Sequence, residues 1–356
     1  MTHPDDCLLV CSPTSRTIEF FDVATGSTRK VIPDVIAQPH EVDWDRNRRR
    51  AYVTHPYRAG AYASIPKGHE ISIVDVDNFE IVAVIDIAPF FAPHDIAVDQ
   101  SSGLLYAGVE QYEGTNGLVV IDPESGKVRD NIPLEAPNAH WIALAPDGSK
   151  LYAAHKEWPQ LSIVDTGSGT VSAIDLPGGA EEIDVSADGR WLYVVTPRAK
   201  GGVDSSALGG EPVSQVLKID TVRAEVLDSL GFDHYNLGIH VAQDNTVLVT
   251  SKKTATPAGP DSTQPAPPDG LVHVLDGDSM RLRATLPAGP FPLTIRSSPD
   301  SGTAWVASLG RGSVTVLDLR NLARSGELTC SRDLATDPVG SSHGLCYVAA
   351  RDSVSR

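Results

Sequence analysis

Four histidines, His40, His94, His140 and His343, each open a short alternating stretch, in the segments QPHEVDWD, APHDIAVD, NAHWIALA and SSHGLCYV. Neutral imidazole offers a nitrogen lone pair and suits Fe, Cu, Zn or Ni, whereas Mg and Ca ask for more oxygen ligands. A lone histidine at a strand start is ordinarily a hydrogen-bonded core residue. Four at equivalent positions, from 11 histidines in 356 residues, exceed chance placement and ask for a shared role. The equivalent position in GGAEEIDV is Glu181, a carboxylate able to complete a coordination sphere or act as a general base.

The elements that position these residues recur roughly every forty to fifty-five residues, the period of a repeat architecture. Each unit begins with the short strand, turns through charged or Gly-containing residues, and returns as a second strand. Counting twelve residues on from His40, His94, His140, Glu181, Asn236 and Leu293 lands on Tyr52, Tyr106, Tyr152, Tyr193, Leu248 and Trp305. In the Asn236 unit the turn runs Gln243–Asp244–Asn245, and Leu237 fits the opening position equally well. A third strand ends in aspartate each time, at Asp22, Asp75, Asp122, Asp165, Asp220, Asp276 and Asp318. Aspartate ahead of a Gly, Ser or Asn turn accepts backbone N–H bonds, so these carboxylates belong to turns and not to chemistry.

Seven third strands imply seven four-stranded antiparallel units, an all-β seven-bladed β-propeller forming a single domain over residues 1–356. Six first strands are internal. The seventh comes from SSHGLCYVAARD at the C-terminus and pairs with DDCLLVCS at the N-terminus, closing the last blade with both chain ends. First strands line a propeller's central channel, so their openings form a ring: His343, His40, His94, His140, Glu181, Asn236 or Leu237, and Leu293. One arc is rich in imidazole. The opposite arc is apolar or neutral.

The strand motifs AYVTH, LYAGV, LYAAH and LYVVT, each after a turn such as PDGSK or ADGR and before a strand ending in Val-Asp or Ile-Asp, resemble those of the YVTN-repeat family of seven-bladed propellers. The resemblance spans nearly the whole chain and implies the fold; for function it implies little, because that family and its relatives include binding proteins, cofactor-handling proteins and enzymes. The family's terminal asparagine is replaced here by His55, Val109, His155, Thr196, Ser251 and Ser308.

Fifteen residues on from two openings stand His55 and His155, expected as a wider ring of catalytic or substrate-contacting imidazoles. Glu41 and Asp95 are expected to point away from the ring by period-two alternation and to bridge blades. Tyr57, Arg58 and Tyr62, together with Glu110, Tyr112, Lys156 and Asn236, are expected to reach the channel mouth and contact substrate. Long stretches after second strands, Pro56 to Gly68, Pro197 to Val213 and Lys252 to Asp269, are expected to rise around the same mouth as lids.

A net charge of -17 argues against nucleic-acid binding, and the run Arg46–Arg50 lies in a hairpin turn where solvated charge is ordinary. No apolar run approaches a membrane span, and MTHPDDCLLV lacks the marks of a secretory signal, so a cytoplasmic protein is expected. Cys7, Cys11, Cys330 and Cys346 form no CxxC pair and are expected to be buried thiols. These features point to a transition-metal ion (Fe, Cu, Zn or Ni) held by His40, His94, His140 and His343, in an enzyme acting on a small organic molecule. Non-haem iron or copper oxidoreductase or oxygenase chemistry leads. A redox-neutral lyase, isomerase or hydrolase, and a non-catalytic propeller binding a partner or metallocofactor, are the alternatives.

Overall fold

A four-stranded sheet of short apolar strands has two faces to cover, and in this protein each sheet covers its faces with its neighbours in a closed ring. The computed structural model describes residues 3, 5–59, 66–197, 214–252, 269–332, 337 and 339–351. There are seven antiparallel four-stranded sheets. Their innermost strands are β4 (Val42–Asp45), β8 (Pro93–Val98), β12 (Ala139–Leu144), β16 (Ile183–Val185), β20 (Tyr235–Val241), β24 (Pro292–Ser297) and β28 (Leu345–Val348). Each touches the next around the ring, and β28 returns to β4.

The closing blade is β28 followed outward by β1 (Cys7–Ser12), β2 (Thr17–Asp22) and β3 (Thr28–Ile32), with Leu9 opposite Cys346. Both chain ends therefore share one sheet, as the sequence implies. Seven apolar clusters hold the ring together, one at each blade-to-blade interface. The cluster between the closing blade and its successor packs Cys7, Leu9, Cys11 and Cys346 against Val42, Trp44 and Val53. All four cysteines are buried free thiols, and burial pushes Cys7 and Cys330 up to about 12.

Third strands end at the seven expected aspartates. Their carboxylates accept turn N–H groups, as from Thr25 to Asp22, Asn78 to Asp75 and Asn321 to Asp318. Burial pushes the Asp22 carboxyl up, but hydrogen bonds from the Arg29 guanidinium first, and then from Thr25, hold it down at about 2.

Every blade carries a β-bulge at the mouth of its first strand. His40 N–H donates to Thr54 O while Thr54 N–H donates to Glu41 O, so two residues oppose one. The same arrangement recurs at Glu181 and Glu182 opposite Val195, at His343 and Gly344 opposite Cys11, and as register shifts in the other four blades. A bulge interrupts period-two alternation. Adjacent residues at the opening can then both turn inward, which the strict alternation expected for Glu41 and Asp95 does not allow.

Pairing also fixes the opening position of the Asn236 unit. Arg296 pairs with Trp305 and Asp184 with Tyr193, three residues after their openings, and the equivalent pair is His240 with Leu248. Leu237 therefore takes the ring position. Asn236 sits one step earlier and is hydrogen-bonded to Ser251 inside its blade.

Candidate metal centre

Blade symmetry brings the openings into a cavity of about 410 Å³ at the axis. His343, His40, His94, His140 and Glu181 line one arc, and Leu237, Leu293, Tyr235, Phe291 and Leu309 line the other. The His343 and His40 rings lie 3.9 Å apart between centroids, and those of His94 and His140 lie 3.6 Å apart. His40 Nε2 and His94 Nε2 are 3.0 Å apart, a distance at which one donates to the other. Two nitrogens bound at right angles to one ion at about 2.1 Å would stand about as far apart.

Close approach of the closing blade depends on Gly344. Its N–H donates to His40 O, and a Cβ placed there would meet that oxygen at 2.1 Å. Only glycine lets β28 come near enough to set His343 against His40.

Glu41 completes the arrangement. Through the bulge its Oε1 lies 2.6 Å from His343 Nδ1. His40 Nδ1 and His94 Nδ1 are buried without a well-formed hydrogen bond. Two such atoms on neighbouring imidazoles are unusual, because each buried unpaired polar group costs about 1–3 kcal/mol. Among the described residues, His40, Glu41 and His343 form a group whose potential ligand atoms lie within 4.8 Å of one another. Two imidazoles and a carboxylate are a donor set that suits a transition metal. Burial, then the neighbouring charges of His343 on His40 and of His140 on His94, hold the His40 and His94 imidazoles well below their ordinary range. Both are neutral at neutral pH, the form that binds metal.

His140 is placed differently. Its Nδ1 donates to Glu181 O at 3.2 Å, which leaves Nε2 to accept from Lys156 Nζ at 3.1 Å. Lys156 Nζ is also 2.7 Å from Glu181 Oε1. His140, Lys156 and Glu181 thus form a polar chain on the cavity wall, beside the His40, Glu41 and His343 group.

A layer deeper, Asp95 accepts Ile142 N–H and Glu182 accepts Ile239 N–H, each bridging to the next blade at 2.9 Å. Burial first, then the charge of Glu41, pushes both carboxyls well above their ordinary range, against the opposing pull of Arg296. Asp95 is the inter-blade partner its sequence position implies. Glu41 also reaches across a blade boundary, to His343 of the closing blade, and with His40 these two form a candidate metal-binding group.

Of the other expected site residues, Tyr57 lines the cavity, with its ring 5.5 Å from that of His40. Tyr57 OH donates to Glu110 Oε1 at 2.5 Å, and Lys67 Nζ pairs with Glu110 Oε2 at 2.5 Å, so Glu110 supports Tyr57 from behind. His55 and His155 are fully buried and turn into their blades, bonding Ser72 Oγ at 2.8 Å and Ser162 Oγ at 2.9 Å. Arg58 pairs with Glu70, and the Tyr112 ring packs 5.2 Å from that of Phe91; neither lines the cavity. Tyr62 and the central parts of the three long stretches, 60–65, 198–213 and 253–268, lie outside the described residues.

The chain matches no protein-family model and no curated protein sequence. It is similar in structure to the Kuenenia stuttgartiensis hydrazine synthase, with a TM-score of 0.63 and 17% identity over 79% of this chain and 76% of that one. It is also similar to the dihydro-heme d1 dehydrogenase NirN in complex with DHE, with a TM-score of 0.61 and 13% identity over 93% of this chain and 65% of that one. It thus spans less than two thirds of the NirN chain. At such identities the likeness establishes the shared propeller fold. Among the described residues, no helix is long and apolar enough to cross a membrane.

Proposed function

We propose that the channel mouth is the active site of a transition-metal-dependent enzyme acting on a small organic molecule, with His40, Glu41 and His343 as ligands and His94 beside them. The observation that carries this is the approach of three buried ligand-type side chains, the potential ligand atoms of His40, Glu41 and His343 lying within 4.8 Å of one another at the channel mouth. An ion held there supplies Lewis-acid or redox chemistry at whatever positions the protein leaves open. Lys156 and Glu181 stand on the adjoining wall as a proton donor and acceptor pair, and Tyr57 closes the wall above His40. Both structural relatives are named as enzymes, one of them a dihydro-heme d1 dehydrogenase, which agrees with a redox role.

Redox-neutral chemistry, as in a lyase, isomerase or hydrolase, is the second candidate, and the Lys156 contacts with His140 and Glu181 favour it: a cation paired at 2.7 Å with a carboxylate is equipped to move a proton. The YVTN-like strand motifs support kinship with that propeller family.

Tag-free protein incubated with Fe, Cu, Zn, Ni or Mn and dialysed to equilibrium tests the proposal. One ion per chain, lost in His40→Ala and His343→Ala variants that keep the wild-type far-UV spectrum, is expected. Protein that takes up none of the five ions would refute it.

A further inference from the structure

The apolar arc carries one feature that the metal group does not use. Lys252, the last residue of β21 (Thr246–Lys252), lies opposite Tyr235 in the sheet and lines the cavity. Its Nζ stands 4.6 Å from the Tyr235 ring centroid and 4.9 Å from that of Phe291. Two aromatic faces hold a lysine head by its attraction to their π electrons. Beneath it, Leu237 and Leu293 pack with Tyr235 into an apolar cluster, so a cation rides at the edge of a greasy wall.

We propose that the substrate is a small organic carboxylate that lies across the channel, its apolar body on Leu237 and Leu293, its carboxylate at Lys252 and its reacting group at the histidine arc. The inference rests on the proposed metal-dependent function for which end reacts. Charge supports it. Among the described residues, Lys156 and Lys252 stand at the mouth with Glu41, Glu181 and Glu182, and a bound divalent ion would add two positive charges there although the whole chain carries -17. A cavity of about 410 Å³ falls in the ordinary range for small-molecule sites, about 300–1,000 Å³. A handle remote from the reacting group is a common source of the binding energy that orients a substrate.

The test is calorimetric titration of the full chain, metal-free and metal-loaded, with benzoate, 3-phenylpropionate and hexanoate and with the primary amide of each. At least one carboxylate should bind about tenfold more tightly than its amide. In Lys252→Met that preference should vanish, while amide affinity and metal content stay at wild-type values. The inference is overturned if no carboxylate saturates the site with Kd below about 10 mM, if amides bind as well, or if Lys252→Met keeps the preference. Protein that takes up no metal but shows the Lys252-dependent preference counts against the metal-dependent function alone. Protein that holds metal without the preference counts against the carboxylate alone.

Discussion

Replacing Gly344 by alanine probes the metal group without touching a ligand. The new Cβ would lie 2.1 Å from His40 O and 3.0 Å from Glu41 Cα, so the first strand of the closing blade must move away from its neighbour. Overpacking of this kind costs about 1–3 kcal/mol, and losing the Gly344 N–H bond to His40 O costs about 0.5–1.5 kcal/mol more. Together the loss should be about 2–4 kcal/mol in urea unfolding. His343 should separate from His40 and Glu41, weakening metal affinity about 10–100-fold, as disturbance of ligand-orienting groups does. Competition against a chromogenic chelator reads that affinity. Gly326→Ala is the control, since its nearest atoms are those of Val316 at 3.9 Å and its effect should stay within about 0.5 kcal/mol. Wild-type stability and wild-type metal affinity in Gly344→Ala would refute the argument that close approach of the closing blade builds the site.

Acid should destabilise the protein in a defined window. Burial holds His55 and His155 down at about 4 from the ordinary 6.5, so between these values the unfolded chain takes up protons that the native blades refuse. Stability should be full above pH 6.5 and fall as pH drops towards 4, by up to about 3 kcal/mol for each histidine; urea unfolding across that range should show it, with a shallower decline in His155→Gln. Lys156→Met leaves Glu181 without its buried cation and should cost about 3 kcal/mol or more. The double variant Lys156→Met/Glu181→Gln should recover most of that loss, and a double-mutant cycle giving no coupling would contradict the pairing. His94→Ala should weaken metal binding less than His40→Ala or His343→Ala, as chelator competition on the three variants would show.

The fold was legible because each blade repeats the same signals: the twelve-residue spacing to Tyr52, Tyr106, Tyr152 and Tyr193, and the turn aspartates from Asp22 to Asp318. His343 could be joined to His40 and His94 because a ring must close. Glu41 was read only as an inter-blade partner because a strict strand alternates; the bulge at Thr54 breaks that alternation and also brings Glu41 beside His40 and His343. Leu237 and not Asn236 takes the ring position because the turn from Gln243 to Asn245 is one residue shorter than its counterparts, which only cross-strand pairing resolves. His55 and His155 stand at the symmetric positions the sequence indicates, but Ser72 and Ser162 on the third strands draw them inward. Lys156 was visible only as a residue just past its strand; its contact with His140 depends on which way the chain leaves the blade.

X-ray absorption spectroscopy on tag-free protein loaded with one equivalent of metal tests the centre most directly. Two or three imidazole nitrogens and one carboxylate oxygen at about 2.0–2.2 Å, with imidazole scattering reduced in both His40→Ala and His343→Ala and the oxygen lost in Glu41→Ala, is the result expected. A shell free of imidazole, or one unchanged in all three variants, would place the ion elsewhere and contradict the assignment of the channel mouth as a metal centre.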